Sequence, residues 1–233
     1  MTQNPQTVLI TGAAGHLGRA VATHLRQRGA RLVLLDRDVQ ALQPDYGNDT
    51  GVLLAQVDLM DRAAVAASVQ QACAHFGGLD SVCHLAGGFR MGEAVHETSP
   101  ETWNFLMDLN ARALLNVAAA AVPRLIERGA GHFVTVGAGA ALRGGAQMGA
   151  YSASKSALIR LTESMSAELK DRNINVNCVL PSIIDTPDNR SAMPDADHSG
   201  WVAPAALAEV IAFLASDAAR AVHGAAIPVA GRV

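Results

Sequence analysis

Short apolar runs alternate with segments of helical length and helical hydrophobic spacing along the chain. Val8–Thr11 reads as a strand, Gly18–Arg28 as a helix, and Arg31–Asp36 as a second strand that ends on an acid. Leu53–Val57 is a third strand, after which Asp61 is placed to cap a helix reaching about Phe76. Asp80–Ala86 follows as a fourth strand. Ser99-Pro100-Glu101 joins a capping residue, a proline suited to the first helical position and an acid suited to the first turn, which predicts a long helix to about Glu127. His132–Val136, Asn175–Leu180 and Ala226–Val229 are the remaining strands, and Ala150–Arg172 and Pro204–Ser216 the remaining helices. This β-α-β repetition predicts an α/β fold, a Rossmann-type doubly wound parallel sheet of about seven strands with helices on both faces. One dinucleotide-binding domain is expected over 1–233. Pro181 to Ala203, rich in Pro, Asp, Ser and Met, reads as a long irregular segment, and its length points to a substrate lid at about 181–203.

Composition supports packed helices on a buried sheet: half of the 233 residues are apolar and only 4% aromatic. The net charge is −3 and no basic run occurs, so nucleic acid is not an expected partner. Three widely separated cysteines without a C-x-x-C spacing are expected to be reduced, as in a cytoplasmic protein. The residues from Met1 to Thr7 are polar and lack an apolar signal core. Arg, Gly or Pro interrupts the apolar stretches before a membrane span is reached, so no membrane partner is expected. The eight histidines show no metal spacing, and no metal is expected.

Between the first strand and first helix lies Thr11-Gly12-Ala13-Ala14-Gly15-His16-Leu17-Gly18. Glycines there allow a tight turn and close backbone approach, so the N–H groups at the helix start can meet a pyrophosphate. Asp36 then ends the second strand. A carboxylate at that place accepts hydrogen bonds from both adenosine ribose hydroxyls and repels a 2′-phosphate, which favours NAD over NADP. Arg37 is the neighbour that could instead serve a phosphate.

Tyr151-Ser152-Ala153-Ser154-Lys155 opens a helix, and residues four apart face the same way. A free phenol has a pKa of about 10. A fixed ammonium beside it is expected to stabilise the phenolate, which makes Tyr151 and Lys155 a candidate proton relay for a group that accepts hydride.

With these residues in place the chain resembles a short-chain dehydrogenase/reductase over essentially its whole length. Ala86-Gly87-Gly88 is similar to the family's Asn-Ala-Gly turn after the fourth strand, with Leu85 in place of the Asn. Asp58-Leu59 matches the dipeptide that meets the adenine. Asn110 matches the helix Asn that holds a water linking the Lys to solvent. Pro181-Ser182-Ile183-Ile184-Asp185-Thr186 resembles the segment that binds the nicotinamide carboxamide, through the Ile184 backbone and the Thr186 hydroxyl. The resemblance also implies a homodimer or homotetramer packed through the long helices.

Two features depart from the main family pattern. His16 occupies the middle glycine position of the first loop, and Gly15 supplies a shifted one. Ala138 stands thirteen residues before Tyr151, where the family carries its catalytic Ser. An alanine gives no hydrogen bond to a developing oxyanion, and such a donor is worth on the order of a hundredfold in rate.

The dihydropteridine-reductase-like branch shares both departures. The chain also resembles that branch in Phe89 after Gly88, and in the run from Leu180-Pro181 through Asp185-Thr186-Pro187, Asn189-Arg190 and Met193-Pro194-Asp195-Ala196-Asp197 to Trp201. This resemblance implies reduction of a conjugated heterocycle, such as a quinonoid dihydropterin, with Tyr151 as sole donor. Phe89, Met193 and Trp201 are then expected to wall a flat substrate near Ala138. Gln147 and Ser182 are the candidate substitutes for the missing Ser. Two other functions fit the same residues: a general ketone reductase or alcohol dehydrogenase with a displaced oxyanion donor, and a catalytically silent NAD-binding sensor or scaffold. His84, beside the cofactor turn, reads as a packed core histidine.

Overall fold

The computed structural model describes residues 5–233, so residues 1–4 of the polar segment before the first strand lie outside it. Its strands are β1 (Thr7–Thr11), β2 (Arg31–Asp36), β3 (Val52–Gln56), β4 (Ser81–His84), β5 (Gly131–Val136), β6 (Ile174–Pro181) and β7 (Ala226–Val229). They pair in parallel throughout, in the order β3-β2-β1-β4-β5-β6-β7. The helices are α1 (His16–Gln27), α2 (Gln43–Tyr46), α3 (Arg62–Phe76), α4 (Pro100–Met107), α5 (Ala113–Arg128), α6 (Gly149–Leu169), α7 (Pro187–Ala192) and α8 (Pro204–Leu214).

Successive strand residues point to opposite faces, and both faces are covered, so the strands are apolar almost without interruption. Leu9, Val33, Val82 and Phe133 join Val65, Leu114, Val117 and Leu158 from α3, α5 and α6 in one core. Val8, Ile10, Leu32 and Val134 join Val21, Ala22, Leu207 and Ile211 from α1 and α8 in the other. The strand order reverses between β1 and β4. Connections there leave the sheet in opposite directions and open a crevice at the strands' carboxyl ends. The Thr11–His84 pairing brings the two strand ends level beneath it.

Local chemistry sets the helix boundaries. The Asp61 carboxylate accepts from the N–H groups of Ala63 and Ala64 at the start of α3, and the Ser99 hydroxyl accepts from Thr102 N–H at the start of α4. The predicted long helix is interrupted by a π turn at Asp108–Arg112, which separates α4 from α5. The helix expected over Ala150–Arg172 ends at Leu169 and tightens into a 3-10 turn at Lys170–Arg172.

The reading of 181–203 as irregular needs correction, because the segment is largely organised. Pro181 belongs to β6, α7 fills its middle, and Ile184 bridges Val202 in parallel. Thr186 caps α7 through its hydroxyl and Pro187 takes the first helical position. The reading of the apolar stretches also changes at Pro100–Arg128. This helical run is long and apolar enough to cross a bilayer by composition, with mean hydropathy 1.3 over its most apolar window. Leu114, Val117, Ala121 and Leu125 on its inner side are buried against the sheet.

Candidate active site and cofactor cleft

The crevice at the switch point is a cleft of about 660 Å³. The loop from Gly12 to Gly18 forms one wall; Asp36, Arg37, Asp58, Leu59 and Met60 lie at one end, and Leu85, Ala86 and Gly87 form the floor. Glycine is required where the backbones approach. Gly12 has φ +65°, and a Cβ there would stand 2.9 Å from Ala86 N and Cα. A Cβ on Gly18 would collide with the Gly12 carbonyl. Gly15 caps α1 with extended backbone and donates to the Gly12 carbonyl at 3.2 Å. The positive end of α1 therefore faces open space, the arrangement that suits a pyrophosphate.

His16 and Leu17 occupy the first turn of α1 rather than the preceding loop. His16 Nε2 is 3.5 Å from Asp188 on α7, so the loop and the helix of the 181–203 segment meet across the cleft. Asp36 holds the loop from below: one carboxylate oxygen accepts from Ala14 N–H at 2.9 Å and the other from Asp38 N–H at 3.2 Å. Each oxygen keeps acceptor capacity toward the cleft. Asp58 lines the cleft and its carboxylate accepts from Met60 N–H, while the Leu59 carbonyl accepts from buried Asn116.

Tyr151 and Lys155 lie one turn apart near the start of α6. The Lys155 ammonium is 5% exposed and donates to the Val136 carbonyl at 2.8 Å. Burial pushes it down to about 8. Burial also pushes the Tyr151 phenol up to about 12, the opposite of the lowering expected from Lys155, because a buried phenolate is poorly solvated. A protonated phenol is the form required of a proton donor. Asn110, fully buried in the π turn, accepts from Gly88 N–H at 2.9 Å and donates to the Gly88 carbonyl and to Ser154 Oγ, both at 3.0 Å. A Cβ on Gly87 would stand 2.9 Å from both Asn110 Oδ1 and Lys155 Nζ, so glycine alone leaves these groups their places. The Gly12, Gly18 and Gly87 cradle, the free end of α1 and Asp36 fit a dinucleotide.

On the substrate side, Phe89 is half exposed and its ring meets Tyr151 edge to face at 4.8 Å. Ala138 is 6% exposed, on extended backbone just past β5. Gln147 has φ +58° and its carbonyl accepts from Gly92 N–H, which ties the loop before α6 to the loop after Phe89. Ser182 donates to the Ala230 carbonyl at 2.7 Å and is engaged with the chain's last residues. Met193 is half-buried. Trp201 is buried with its ring 4.3 Å from His198, and neither Met193 nor Trp201 lines the cleft. Ile184 gives its carbonyl to Asn189, and Thr186 lines the cleft while capping α7.

Several cleft residues were not singled out from the sequence: Phe105, Asp108, Leu109 and Asp188. Asp188 was detectable, since Thr186-Pro187-Asp188 repeats the helix-start signature of Ser99-Pro100-Glu101. Ser154, the partner of Asn110, lies three residues past Tyr151 on the same helix face. Among the described residues no cluster of three His, Cys, Asp or Glu side chains is placed to hold a metal.

The chain matches the family model described as short chain dehydrogenase over residues 6–197. It is 33% identical to the cis-4-hydroxycyclohexanecarboxylate dehydrogenase of Sinomonas cyclohexanicum, over 97% of this chain and 95% of that protein. It superposes with TM-score 0.87 and 26% identity on the 3-ketoacyl-(acyl-carrier-protein) reductase of Brucella melitensis complexed with NADH, covering 97% of each chain. The carveol dehydrogenase of Mycobacterium avium in complex with NAD gives TM-score 0.89 and 25% identity, over 97% of this chain and 96% of that one.

Proposed function

For a chain that belongs to the short-chain dehydrogenase/reductase family and is an NAD(P)-dependent oxidoreductase acting on small molecules, we propose that it uses NADH to reduce a flat, conjugated acceptor of the quinonoid dihydropterin type. The observation that carries this reading is the pairing of Tyr151 with Phe89, taken with an alanine at position 138, where the family resemblance leads one to look for a hydroxyl. When bound, the reduced nicotinamide supplies the hydride. Tyr151 Oη donates the proton, and Lys155 keeps a cation near the phenol as the proton leaves. Asn110 holds the Gly87–Gly88 turn and Ser154 in register with that pair.

A ketone becoming an alkoxide concentrates charge on one oxygen and benefits from two donors. A conjugated acceptor spreads the incoming charge over ring nitrogens, so one donor suffices and an apolar wall orients the ring. Asp36 supports NADH: its carboxylate fills the end of the cleft where a 2′-phosphate would bring two further negative charges. The Ala-rich long helices support the expected homodimer or homotetramer.

A second reading is favoured by the dehydrogenase and ketoacyl reductase relatives: a ketone or alcohol oxidoreductase in which another group replaces the missing hydroxyl. Ala138→Ser separates the two. On the first reading the new hydroxyl leaves quinonoid turnover within about twofold while raising ketone turnover tenfold or more from a low base, given what such donors are worth. On the second, ketone turnover is already high and the change adds little.

A further inference from the structure

His84 is wholly buried at the end of β4, on the sheet face that α6 covers. Its Nδ1 is 3.0 Å from Thr11 Oγ1, which also accepts from Ala86 N–H at 3.2 Å. Its Nε2 is buried and meets no partner among the described residues. His84 pairs in register with Thr135, the residue before Val136, whose carbonyl takes the Lys155 ammonium, and burial, with the Lys155 charge, pushes His84 down to about 3.

The Thr11 hydroxyl is the partner through which the tautomer is assigned. Its oxygen already takes the Ala86 N–H, and Nδ1 is the acceptor within reach of its single proton. In the arrangement proposed below Thr11 donates to Nδ1, which places the ring proton on Nε2. That nitrogen is then a buried donor without an acceptor, a rare arrangement in native proteins. Lys155 presents further ammonium protons nearby, one being taken by Val136. It is faced by His84 from β4 and by Cys178 from β6, and Tyr151 lies four residues before it on α6.

We propose that His84 is a positioning residue for the relay: Nε2–H donates to a buried water whose oxygen also accepts from the Lys155 ammonium. A water oxygen has two acceptor sites, one for each donor, and such waters serve buried polar groups left over by the fold. Through Nδ1 the same ring holds Thr11 and, through it, the Ala86 turn of the cofactor cleft. The inference rests on Lys155 acting as a cation beside Tyr151 and holds for either acceptor class.

Two substitutions divide the ring's roles. The Asn oxygen of His84→Asn can replace Nδ1 toward Thr11 but cannot reach the position of Nε2; the Gln amide of His84→Gln can. Losing the water removes a ligand from a buried cation and lowers the Lys155 pKa. Since the cation is needed, the alkaline limb of kcat should move to lower pH in His84→Asn by about half a unit or more, a threefold change in the equilibrium. In His84→Gln it should stay at the wild-type position. Coincident limbs in wild type and His84→Asn, or equal displacement in both variants, would overturn the proposal. Nitrogen-15 spectra of histidine-labelled wild-type protein, with His84 assigned by difference, give a readout free of any folding defect. The neutral Nε2–H tautomer from pH 5.5 to 8 is expected, and the Nδ1–H tautomer contradicts the assignment. A Lys155→Met enzyme with undiminished turnover would sink the relay itself, a failure distinct from the wrong tautomer at His84.

Discussion

Phe89 and Tyr151 meet edge to face, their ring centroids 4.8 Å apart and their planes at 86°. The phenol thus borders an aromatic wall on one side, while position 138 offers a methyl group where the family resemblance leads one to look for a hydroxyl. On the proposed reading the pairing would tie the recognition of a flat acceptor to the group that protonates it.

Truncating that wall should be felt in acceptor binding before chemistry. Aromatic pairs contribute about 0.5–1.5 kcal/mol beyond area burial. Phe89→Ala is expected to raise KM for a flat heterocyclic acceptor by roughly 3- to 10-fold on that scale. KM for NADH should hold within about twofold, because Phe89 is not among the residues lining the dinucleotide cleft. Unchanged acceptor KM would remove Phe89 from the substrate site.

Asp36 accepts from Ala14 N–H and is the residue proposed to select NADH. Asp36→Ser should raise the ratio of kcat/KM for NADPH over NADH by tenfold or more, because a carboxylate beside a 2′-phosphate costs several kcal/mol and Arg37 lines the same end of the cleft. The variant should also lose about 1 kcal/mol of stability with the Ala14 N–H bond. A ratio that stays within twofold of wild type would show that preference is set elsewhere.

The buried ammonium of Lys155 makes a stability prediction with a definite sign. In the folded protein it is pushed down to about 8, against about 10.4 for a free lysine. Between those values the unfolded chain binds the additional proton, so this group's contribution favours the fold more as pH rises through that window. At pH 7 the ammonium carries its full burial cost. Lys155→Met should therefore be more stable than wild type at pH 7, with the gain shrinking toward pH 10, while turnover falls at least a hundredfold. Urea midpoints of both proteins at the two pH values check this, and a gain independent of pH would contradict it.

The strand pattern was legible because the central strands β1, β4, β5 and β6 are buried on both faces. β2 and β7 match their expected limits, and the caps Asp61 and Ser99 mark helix starts that the structure repeats. What escaped depends on tertiary contact. The π turn at Asp108–Arg112 carries no local signature; it places Asn110 between Gly88 and Ser154, bonds that exist only after the sheet and α6 assemble. The 181–203 segment looked irregular because its order comes from distant partners: Asp185 N–H and Ile183 O bond Val202, and Ser182 bonds Ala230. Trp201, read as a candidate substrate wall from its neighbours in sequence, is buried against His198. The expected lowering of the Tyr151 phenol failed because its burial is not visible in a one-dimensional spacing, whereas His84 is the packed core histidine that the sequence suggested.

The central claim is that a single phenol donor facing an aromatic wall suits a conjugated acceptor. Its most direct test is the steady-state rate of NADH oxidation with freshly generated quinonoid dihydropterin, set beside a panel of simple cyclic ketones. The account predicts kcat/KM at least a hundredfold higher for the quinonoid acceptor, and loss of that activity in Tyr151→Phe. Efficient ketone turnover with no quinonoid reduction above the uncatalysed background would contradict it.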